Sequence, residues 1–340
     1  MTDFKGLNGV NITKIVKVNT IDLTSISSIN GLDLPETLSI GRGVFGGGYT
    51  GTQRLDVIEY ISIDTLGNAS DFGDLTLARN NGAAASNGAT GRAIFCGGST
   101  GSVTDTIDYI TIPTLGNALD FGNLSIGING SDVSSNAEND RAVVFLGLNS
   151  SSSPLNIMEY VTISTTSDSA DFGDMTSAYY NPAGTSNGTN ERGISMGGNT
   201  SATTATSFIA YFTINTLGNA SSFGYLTIPR GNGSACSNRT NERGVMFGGL
   251  YGSSRKPNID YITINTTGNA SDFGNLYVAM NGSAACSNGL DERGITAGGY
   301  TYNGIKEDRI DYITINSASN VTYFGDLITG KYAFKGASDV

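Results

Sequence analysis

The sequence contains no histidine, and charged residues make up only 14% of its 340 residues. Without histidine, His-based catalytic triads, most catalytic zinc sites and histidine ligation of copper are excluded. The net charge is −11, and the sequence has no cluster of Lys and Arg of the kind that binds phosphate backbones. We therefore expect no nucleic-acid partner, no metal, no cofactor and no enzymatic activity.

Long hydrophobic runs are also missing. The first residues, MTDFKGLNGVNITKIVKVN, lack the apolar core of a signal peptide, and no run is long enough to span a membrane. The three cysteines, Cys96, Cys236 and Cys286, are too few for a disulfide framework. These features predict reduced thiols, synthesis in the cytoplasm and no membrane insertion.

A repeat of about fifty residues runs through most of the chain. One copy, residues 243–276, reads RGVMFGGLYGSSRKPNIDYITINTTGNASDFGNL. The Arg that opens each copy recurs at steps of 50, 49, 51, 51 and 50 residues, at Arg42, Arg92, Arg141, Arg192, Arg243 and Arg293. Six copies with this spacing are typical of a β-propeller, in which each repeat forms one four-stranded blade.

The second copy shows the four predicted strands. Small residues 81–87 form the inner strand a, and residues 92–96 form strand b, which ends at two glycines. Strand c covers residues 106–112, with apolar side chains on both faces, as expected when neighbouring blades cover both. Strand d begins at Asp120 after a Leu-Gly-Asn turn. Because 47 residues are glycine and charges are few, the composition also favours turn-rich β structure.

The order of small inner strand, Arg, apolar strand ending in Gly-Gly, acid-Tyr strand and aromatic-x-x-Leu resembles the Kelch repeat over residues 41–340. Phenylalanine takes the place of the usual Kelch tryptophan at Phe72, Phe121, Phe172, Phe223, Phe273 and Phe324. The sequence IEYISIDTLGNASDFGDLT is also similar to Kelch-like repeats in structural proteins of tailed bacteriophages, particularly marine phages and cyanophages. The resemblance implies a virion protein made in the host cytoplasm.

Two repeats depart from the pattern. Leu148 follows Gly147 where the other repeats are expected to have their second Gly. Ala210 replaces an acid that the other five repeats carry, at Glu59, Asp108, Glu159, Asp260 and Asp311. These departures concern local detail in two blades and leave the predicted six-bladed propeller unchanged.

The two ends of the chain have separate predicted roles. Residues 1–40 stand outside the repeat and contain two Asn-Gly turns, so they form either a loosely packed leader or an attachment segment for other virion proteins. Residues 332–339 align with the inner strands, whereas residues before Arg42 do not. The C-terminal strand is therefore expected to complete the first blade and close the ring.

Residues that recur in every blade favour architecture over function, because a binding site needs to be built only once. Ser-Asn pairs end the inner strands, and their alternatives are an ion-holding polar ring or Asn caps of the a-to-b turns. The six repeated arginines form either an anion site or ion pairs, with Glu59 or Asp71 as candidate partners of Arg42. Asp71 and Asp74 could in principle act as an acid and base pair, and the turns could bind calcium.

The b-to-c loops differ between repeats, so recognition is predicted there, on the face that they share with the d-to-a connections. Candidate ligand-binding residues in or beside these loops are Tyr49, Tyr179, Tyr180, Tyr251, Tyr300 and Tyr302. Tyrosine offers flat apolar area with a hydrogen-bonding tip, which suits sugars and protein surfaces. The alternative is that they are ordinary exposed loop residues.

The sequence thus predicts a non-enzymatic phage virion protein in multiple copies per particle. A tail-associated fibre or adhesion role, with binding to a host surface glycan or protein, is the leading hypothesis. The alternatives are a capsid decoration protein, an intracellular Kelch-type interaction module and a glycan-cleaving propeller.

Overall fold

A computed structural model gives the structure of the chain. It describes residues 41–88, 91–136, 140–187, 191–238, 242–288 and 292–338, together with the backbone of six two-residue strands near the N-terminus. The chain divides into two compact units, Met1–Ile40 and Gly41–Val340. The predicted attachment role of residues 1–40 falls largely outside the described residues.

The first unit contains three small antiparallel hairpins, β1–β2, β3–β4 and β5–β6. Their strands are β1 Lys5–Gly6, β2 Val10–Asn11, β3 Lys17–Val18, β4 Ile21–Asp22, β5 Ser28–Ile29 and β6 Leu32–Asp33. In two of the hairpins, β1–β2 and β5–β6, an Asn-Gly pair of residues 1–40 lies between the paired strands in the sequence.

The second unit is built of strands, and its described residues contain no helix. The first two repeats and the start of the third contain β7 Arg42–Gly46, β8 Val57–Ser62, β9 Ser70–Asp74, β10 Ala83–Ser86, β11 Arg92–Cys96, β12 Thr106–Thr111, β13 Leu119–Asn123 and β14 Asp132–Asn136. The next eight strands are β15 Arg141–Phe145, β16 Ile157–Thr162, β17 Ala170–Asp174, β18 Ala183–Ser186, β19 Arg192–Met196, β20 Phe208–Thr213, β21 Ser221–Tyr225 and β22 Ser234–Ser237. The last nine are β23 Arg243–Phe247, β24 Leu250–Tyr251, β25 Ser254–Thr263, β26 Ser271–Asn281, β27 Ala284–Asn288, β28 Arg293–Thr301, β29 Lys306–Thr314, β30 Thr322–Asp326 and β31 Lys335–Ser338.

The strands form a β-propeller in which each blade is an antiparallel sheet of four strands. In the second repeat the order is β10-β11-β12-β13, which matches the predicted strands a to d. Strand b is buried almost throughout, whereas only the Phe of the short strand d is buried. The register of strands c and d shifts by one residue in each repeat, as it does between Ile107 and Asp108.

The prediction of six separate four-stranded blades was wrong: the structure has four. They are β31-β7-β8-β9, β10-β11-β12-β13, β14-β15-β16-β17 and β18-β19-β20-β21. The strands of the fifth and sixth repeats, β22 to β30, form a single sheet of nine strands.

A short extra ladder explains the fusion. Strand β26 continues to Asn281 and pairs with β28 through Met280↔Thr301 and Asn281↔Tyr300. Equivalent contacts elsewhere are isolated bridges, such as Asn80↔Ser99 and Tyr180↔Asn199. The repeat pattern did not predict the nine-stranded sheet, because adding one residue pair to a bridge between strands changes none of the residues that recur in every repeat.

The C-terminal strand closes the propeller, as predicted. Strand β31 pairs antiparallel with β7, with Lys335 opposite Gly46 and Ser338 opposite Gly43. The first blade is thus assembled from both ends of the repeat region. This arrangement leaves neither end of the ring with an unpaired inner edge.

A ring of serine hydrogen bonds links the inner strands. Ser135 Oγ donates to Ser86 O at 2.7 Å, and Ser186 Oγ donates to Ser135 O at 2.6 Å. The same donation continues through Ser237, Ser287 and Ser338, and Ser86 completes the circle by donating to Ser338 O. The repeated serine is therefore a structural residue of the inner wall.

In four blades the asparagine that follows this serine caps the a-to-b turn, as the structural alternative predicted. Asn187 Oδ1 accepts from the Arg192 backbone N–H at 3.0 Å, and Asn87, Asn238 and Asn288 do the same. Asn288 also donates to Asp64 of another blade at 2.6 Å. These side chains therefore hold turns and join blades.

The uniform c-to-d turns dock onto the neighbouring blade. Gly116 N donates to Phe72 O at 3.0 Å, and the Asn117 side chain accepts from Asp74 N at 3.1 Å. Gly73 at this contact has a φ of +145°, and a Cβ there would lie 2.5 Å from Gly116 O. The repeated Phe-Gly and Gly-Asn pairs are thus two halves of one contact between blades.

Buried ion pairs join strand c to the preceding d-to-a connection in three repeats. Arg79 pairs with Asp108 at 2.9 Å, Arg230 with Asp260 at 3.1 Å and Lys331 with Glu59 at 2.9 Å. Burial lowers the pKa of Lys331, and the charge and hydrogen bond of Glu59 oppose that effect.

The acid missing at Ala210 is balanced by a change at the position of the cation. In that repeat Tyr179 replaces the buried base, and its hydroxyl lies 3.2 Å from Ser195 Oγ. Both Tyr179 and Ala210 are buried, at 1% and 0% exposure. Because a lone buried cation would be costly, the two replacements belong together.

The residue that breaks the Gly-Gly pattern in the third repeat is Leu146, and the prediction that it is Leu148 was wrong. Leu146 occupies the position of the first Gly of each Gly-Gly pair, with a φ of +63°, close to the +59° of Gly97. Gly147 then matches the second Gly, with a φ of +118°. Leu146 is fully buried beside Tyr179, so apolar packing offsets the strain of a left-handed leucine.

Candidate functional site: a tyrosine and cation cluster on the loop face

The six repeated arginines form a ring of contacts between blades. Each guanidinium lies over the tyrosine of its own strand c, 4.3 to 4.9 Å from the ring centroid. Each also donates through Nη1 to a carbonyl oxygen of the next blade. The pairs are Arg42 to Ile112, Arg92 to Ile163, Arg141 to Ile214, Arg192 to Ile264, Arg243 to Ile315 and Arg293 to Ile63.

This ring corrects the partner predicted for Arg42. Glu59 forms its ion pair with the buried Lys331 instead. Arg42 donates to Ile112 O at 2.6 Å and stacks on Tyr60 at 4.6 Å. Main-chain carbonyls and tyrosine faces are therefore the partners that repeat around the ring, which gives these arginines a structural role.

The six candidate tyrosines separate into three groups. Tyr179 is buried at 1% exposure, and burial raises its pKa to about 12, so the structure removes it from the predicted binding surface. Tyr251 and Tyr302 are exposed, at 45% and 79%. Tyr49, Tyr180 and Tyr300 are half-buried.

Tyr49 and Tyr300 meet through a third tyrosine, Tyr332, which is not among the six candidates predicted from the sequence. The rings of Tyr300 and Tyr332 are stacked, with centroids 4.9 Å apart and planes inclined by 18°. Tyr49 packs edge-on against Tyr332 at 5.7 Å. Two backbone hydrogen bonds between Tyr49 and Tyr332, of 2.8 and 3.2 Å, fix the loop of the first repeat against the last d-to-a connection.

Three cations surround this stack. The Arg255 guanidinium lies 4.3 Å from the centroid of Tyr300, and Lys306 Nζ lies 5.2 Å from the same centroid. Arg54 lies 5.8 Å from the centroid of Tyr49. Together Tyr49, Tyr300, Tyr332, Arg54, Arg255 and Lys306 form what we call the rim cluster.

The electrostatics of the rim cluster follow from these contacts. Burial raises the pKa of Tyr332, neighbouring Tyr49 and Tyr300 raise it further, and Arg255 opposes the shift. Tyr332 therefore remains neutral at physiological pH, and three basic side chains lie beside it in the cluster. Neutral hydroxyls beside cations can donate hydrogen bonds to an anionic or polyhydroxylated ligand.

The cluster was only partly accessible to sequence reasoning. Tyr332 was assigned to the closing inner strand, and its contact with Tyr49 depends on ring closure. Arg255 and Lys306 lie in the variable loops, but their packing on one tyrosine depends on how two repeats come together. The available signal was that variable loops of the fifth and sixth repeats combine Tyr with Arg or Lys.

Comparison with known proteins assigns no relative. The chain matches no protein-family profile. A search of curated protein sequences also found no match.

Two further classes of site, metal centres and membrane spans, concern the described part of the chain. No group of three or more Cys, Asp or Glu side chains there could hold a metal ion. No helix there is long and apolar enough to cross a membrane. Cys96 and Cys236 are buried, and burial raises the pKa of both thiols to about 12, which leaves them protonated and unreactive at neutral pH.

Proposed function

We propose that this protein is a non-enzymatic structural component of a tailed-phage virion that displays a Kelch-like propeller for recognition of the host surface. In this proposal residues 1–40 attach the propeller to other virion proteins. A tail-associated fibre or adhesion role is favoured, and several copies are carried by each particle.

One observation carries the proposal: the repeated side chains are used for construction, and an asymmetric group remains on the loop face. The arginine ring, the serine ring and the c-to-d contacts each repeat from blade to blade. The rim cluster occurs at one place, beside the junction of the last repeat with the first. A rigid scaffold with variable loops on one face suits recognition.

We further propose that the nine-stranded sheet corresponds to two blades, which makes the propeller six-bladed and Kelch-like. Strands β22, β23, β25 and β26 pair in the order of a blade, and so do β27, β28, β29 and β30. Among the described strands, the two sets are joined by strand pairing through the short ladder at Met280 and Asn281. The resemblance of the repeat sequence to Kelch repeats supports the same number of blades.

The virion assignment is tested by mass spectrometry of particles purified from a lysate of a phage that encodes the chain. The proposal expects the protein at several copies per particle. Gold-labelled antibody against the propeller should then mark the tail. Gold label over the phage head would favour a capsid decoration role. Absence of the protein from washed particles would refute the virion assignment.

The recognition role is tested with purified protein and host cells. The proposal expects saturable binding of fluorescent protein to cells of a susceptible strain and no release of reducing sugar from their surface polysaccharide. Release of reducing sugar would show a glycan-cleaving enzyme instead. Absence of binding to any susceptible strain would refute adhesion while leaving a virion location intact.

A further inference from the structure

Most of the described basic side chains of the propeller have a structural partner, and a few do not belong to a repeated contact or an ion pair. Six of the described Lys and Arg side chains belong to the arginine ring, and five others form ion pairs with Asp or Glu. From Gly41 onward, the described cations that belong neither to the arginine ring nor to these ion pairs are Arg54, Arg255, Lys256 and Lys306. In a protein of net charge −11, these four positive charges are an exception.

Three of these four cations belong to the rim cluster, and the fourth, Lys256, follows Arg255 in the same strand. Lys306 also extends over the loop of the first repeat, since a Cβ at Gly51 would lie 2.8 Å from its Nζ. The first, fifth and sixth repeats therefore each contribute a cation to one region.

The geometry leaves polar atoms available for a ligand. The Arg255 guanidinium lies over Tyr300, 4.3 Å from the ring centroid, and its buried Nε has no hydrogen-bond partner. Lys306 Nζ lies 5.2 Å from the same ring centroid. A planar donor edge beside an ammonium group suits a carboxylate or a sulfate.

We propose that the rim cluster binds an acidic sugar unit of a surface polysaccharide, with its carboxylate or sulfate between Arg255 and Lys306. This inference rests on the proposed adhesion function and specifies its ligand. The tyrosine hydroxyls and the Thr and Ser side chains of the surrounding loops supply hydrogen bonds to sugar hydroxyls. Among them, Thr50, Thr52 and Ser254 lie in exposed or half-buried positions.

A sugar is favoured over other anions because of the overall charge. A long polyanion such as a nucleic acid would be repelled by the acidic remainder of the surface. An acidic sugar unit carries one charge per ring and presents hydroxyls and C–H groups alongside it. This combination matches cations, hydroxyls and tyrosine rings gathered in one cluster.

The test uses the full chain and isothermal titration with three oligosaccharides: an oligogalacturonate, a sulfated galactan oligosaccharide and neutral maltoheptaose. We expect binding of at least one acidic oligosaccharide and none of maltoheptaose. The double substitution R255Q/K306Q should weaken that binding by about tenfold or more, since it removes two charge-assisted contacts. Its thermal unfolding temperature should be measured alongside to verify that it folds.

A matched control lowers the charge of the same face by the same two units elsewhere. Ser150→Asp with Ser151→Asp places two carboxylates on exposed loop positions of the third repeat. Binding by this control should stay within about threefold of the parent, because exposed charges outside the site are screened. Equal loss of binding in the control and in R255Q/K306Q would overturn the proposed site.

Other outcomes are equally decisive. Failure of the parent protein to bind either acidic oligosaccharide, or displacement of a bound oligosaccharide by polyglutamate at equal charge concentration, would overturn the ligand class. If the protein and R255Q/K306Q adhere equally to host cells, the inference fails while adhesion stands. If the protein binds acidic oligosaccharides as expected but does not bind host cells, the proposed binding site is supported and the proposed adhesion function is refuted.

Discussion

Replacing Arg230 with methionine should destabilise the propeller by about 3–5 kcal/mol, the usual cost of removing one partner from a buried ion pair. Arg230 and Asp260 both have fully buried side chains, with Nη1 3.1 Å from Oδ2. Arg230 also donates from Nε to Gly248 O at 2.9 Å. After the substitution, Thr227 still donates to Asp260 through its N–H and hydroxyl, but the buried carboxylate has lost its cation.

The second substitution Asp260→Ala should restore part of this loss. It removes the carboxylate that Arg230→Met leaves uncompensated, and the fourth repeat already carries an uncharged pair, Tyr179 and Ala210, at these positions. We expect the double variant to recover at least about 2 kcal/mol relative to the sum of the two single substitutions.

Equilibrium unfolding in guanidinium chloride measures these differences through the midpoint, provided that the slope stays constant. The control is Lys256→Met, which removes a half-buried cation without a carboxylate partner among the described residues and should change stability by about 0.5 kcal/mol or less. The reasoning is refuted if Arg230→Met costs less than about 1 kcal/mol, or if the double variant shows no coupling.

Three further predictions concern the remaining contacts between and within blades. Arg192→Gln loses the stack on Tyr211 at 4.5 Å and the hydrogen bond to Ile264 O at 2.9 Å, so the unfolding midpoint should fall by the equivalent of about 1–3 kcal/mol, and Arg192→Lys should fall less. Gly325→Ala places a Cβ 2.1 Å from Gly67 O at the junction of the last and first repeats, so it should lower the thermal unfolding temperature by several degrees, and an unchanged temperature would contradict the close approach. The pKa values of Cys96, Cys236 and Tyr179 are raised by burial to about 12, from ordinary values of 9.0, 9.0 and 10.0, so the folded protein retains protons that the unfolded chain releases. Stability should therefore be full below pH 9 and fall between pH 9 and 12, in urea midpoints measured across that range, and a Cys96→Ala variant should show a smaller fall.

The repeated elements of the fold could be predicted because each leaves a mark in every copy. Strand β11 begins at Arg92 and ends at Cys96, as the apolar run between Arg and Gly-Gly indicated. The pairing of β31 with β7 followed from the inner-strand pattern of the C-terminal residues. Periodic features of this kind report on backbone geometry, which the repeats share.

The partners of charged residues could not be predicted in the same way. The sequence shows that Arg42 and Glu59 lie in one repeat, but Glu59 meets Lys331, which is distant in sequence and adjacent only after ring closure. Tyr179 belongs to the core because it fills the space that a buried base occupies in three other repeats. Tyr332 joins the rim cluster only because the last connection lies beside the first loop.

The most direct test of this account is a disulfide cross-link between the two ends of the repeat region. Val44 and Ala337 are opposite each other in the pairing of β7 with β31, at the Cα separation of about 4.5–5.5 Å that a disulfide can bridge. In the variant V44C/A337C, peptide mapping after mild oxidation of the folded protein should find a bond between residues 44 and 337. If this bond fails to form while the folded protein retains its thermal transition, the C-terminal strand does not close the first blade and the account is contradicted.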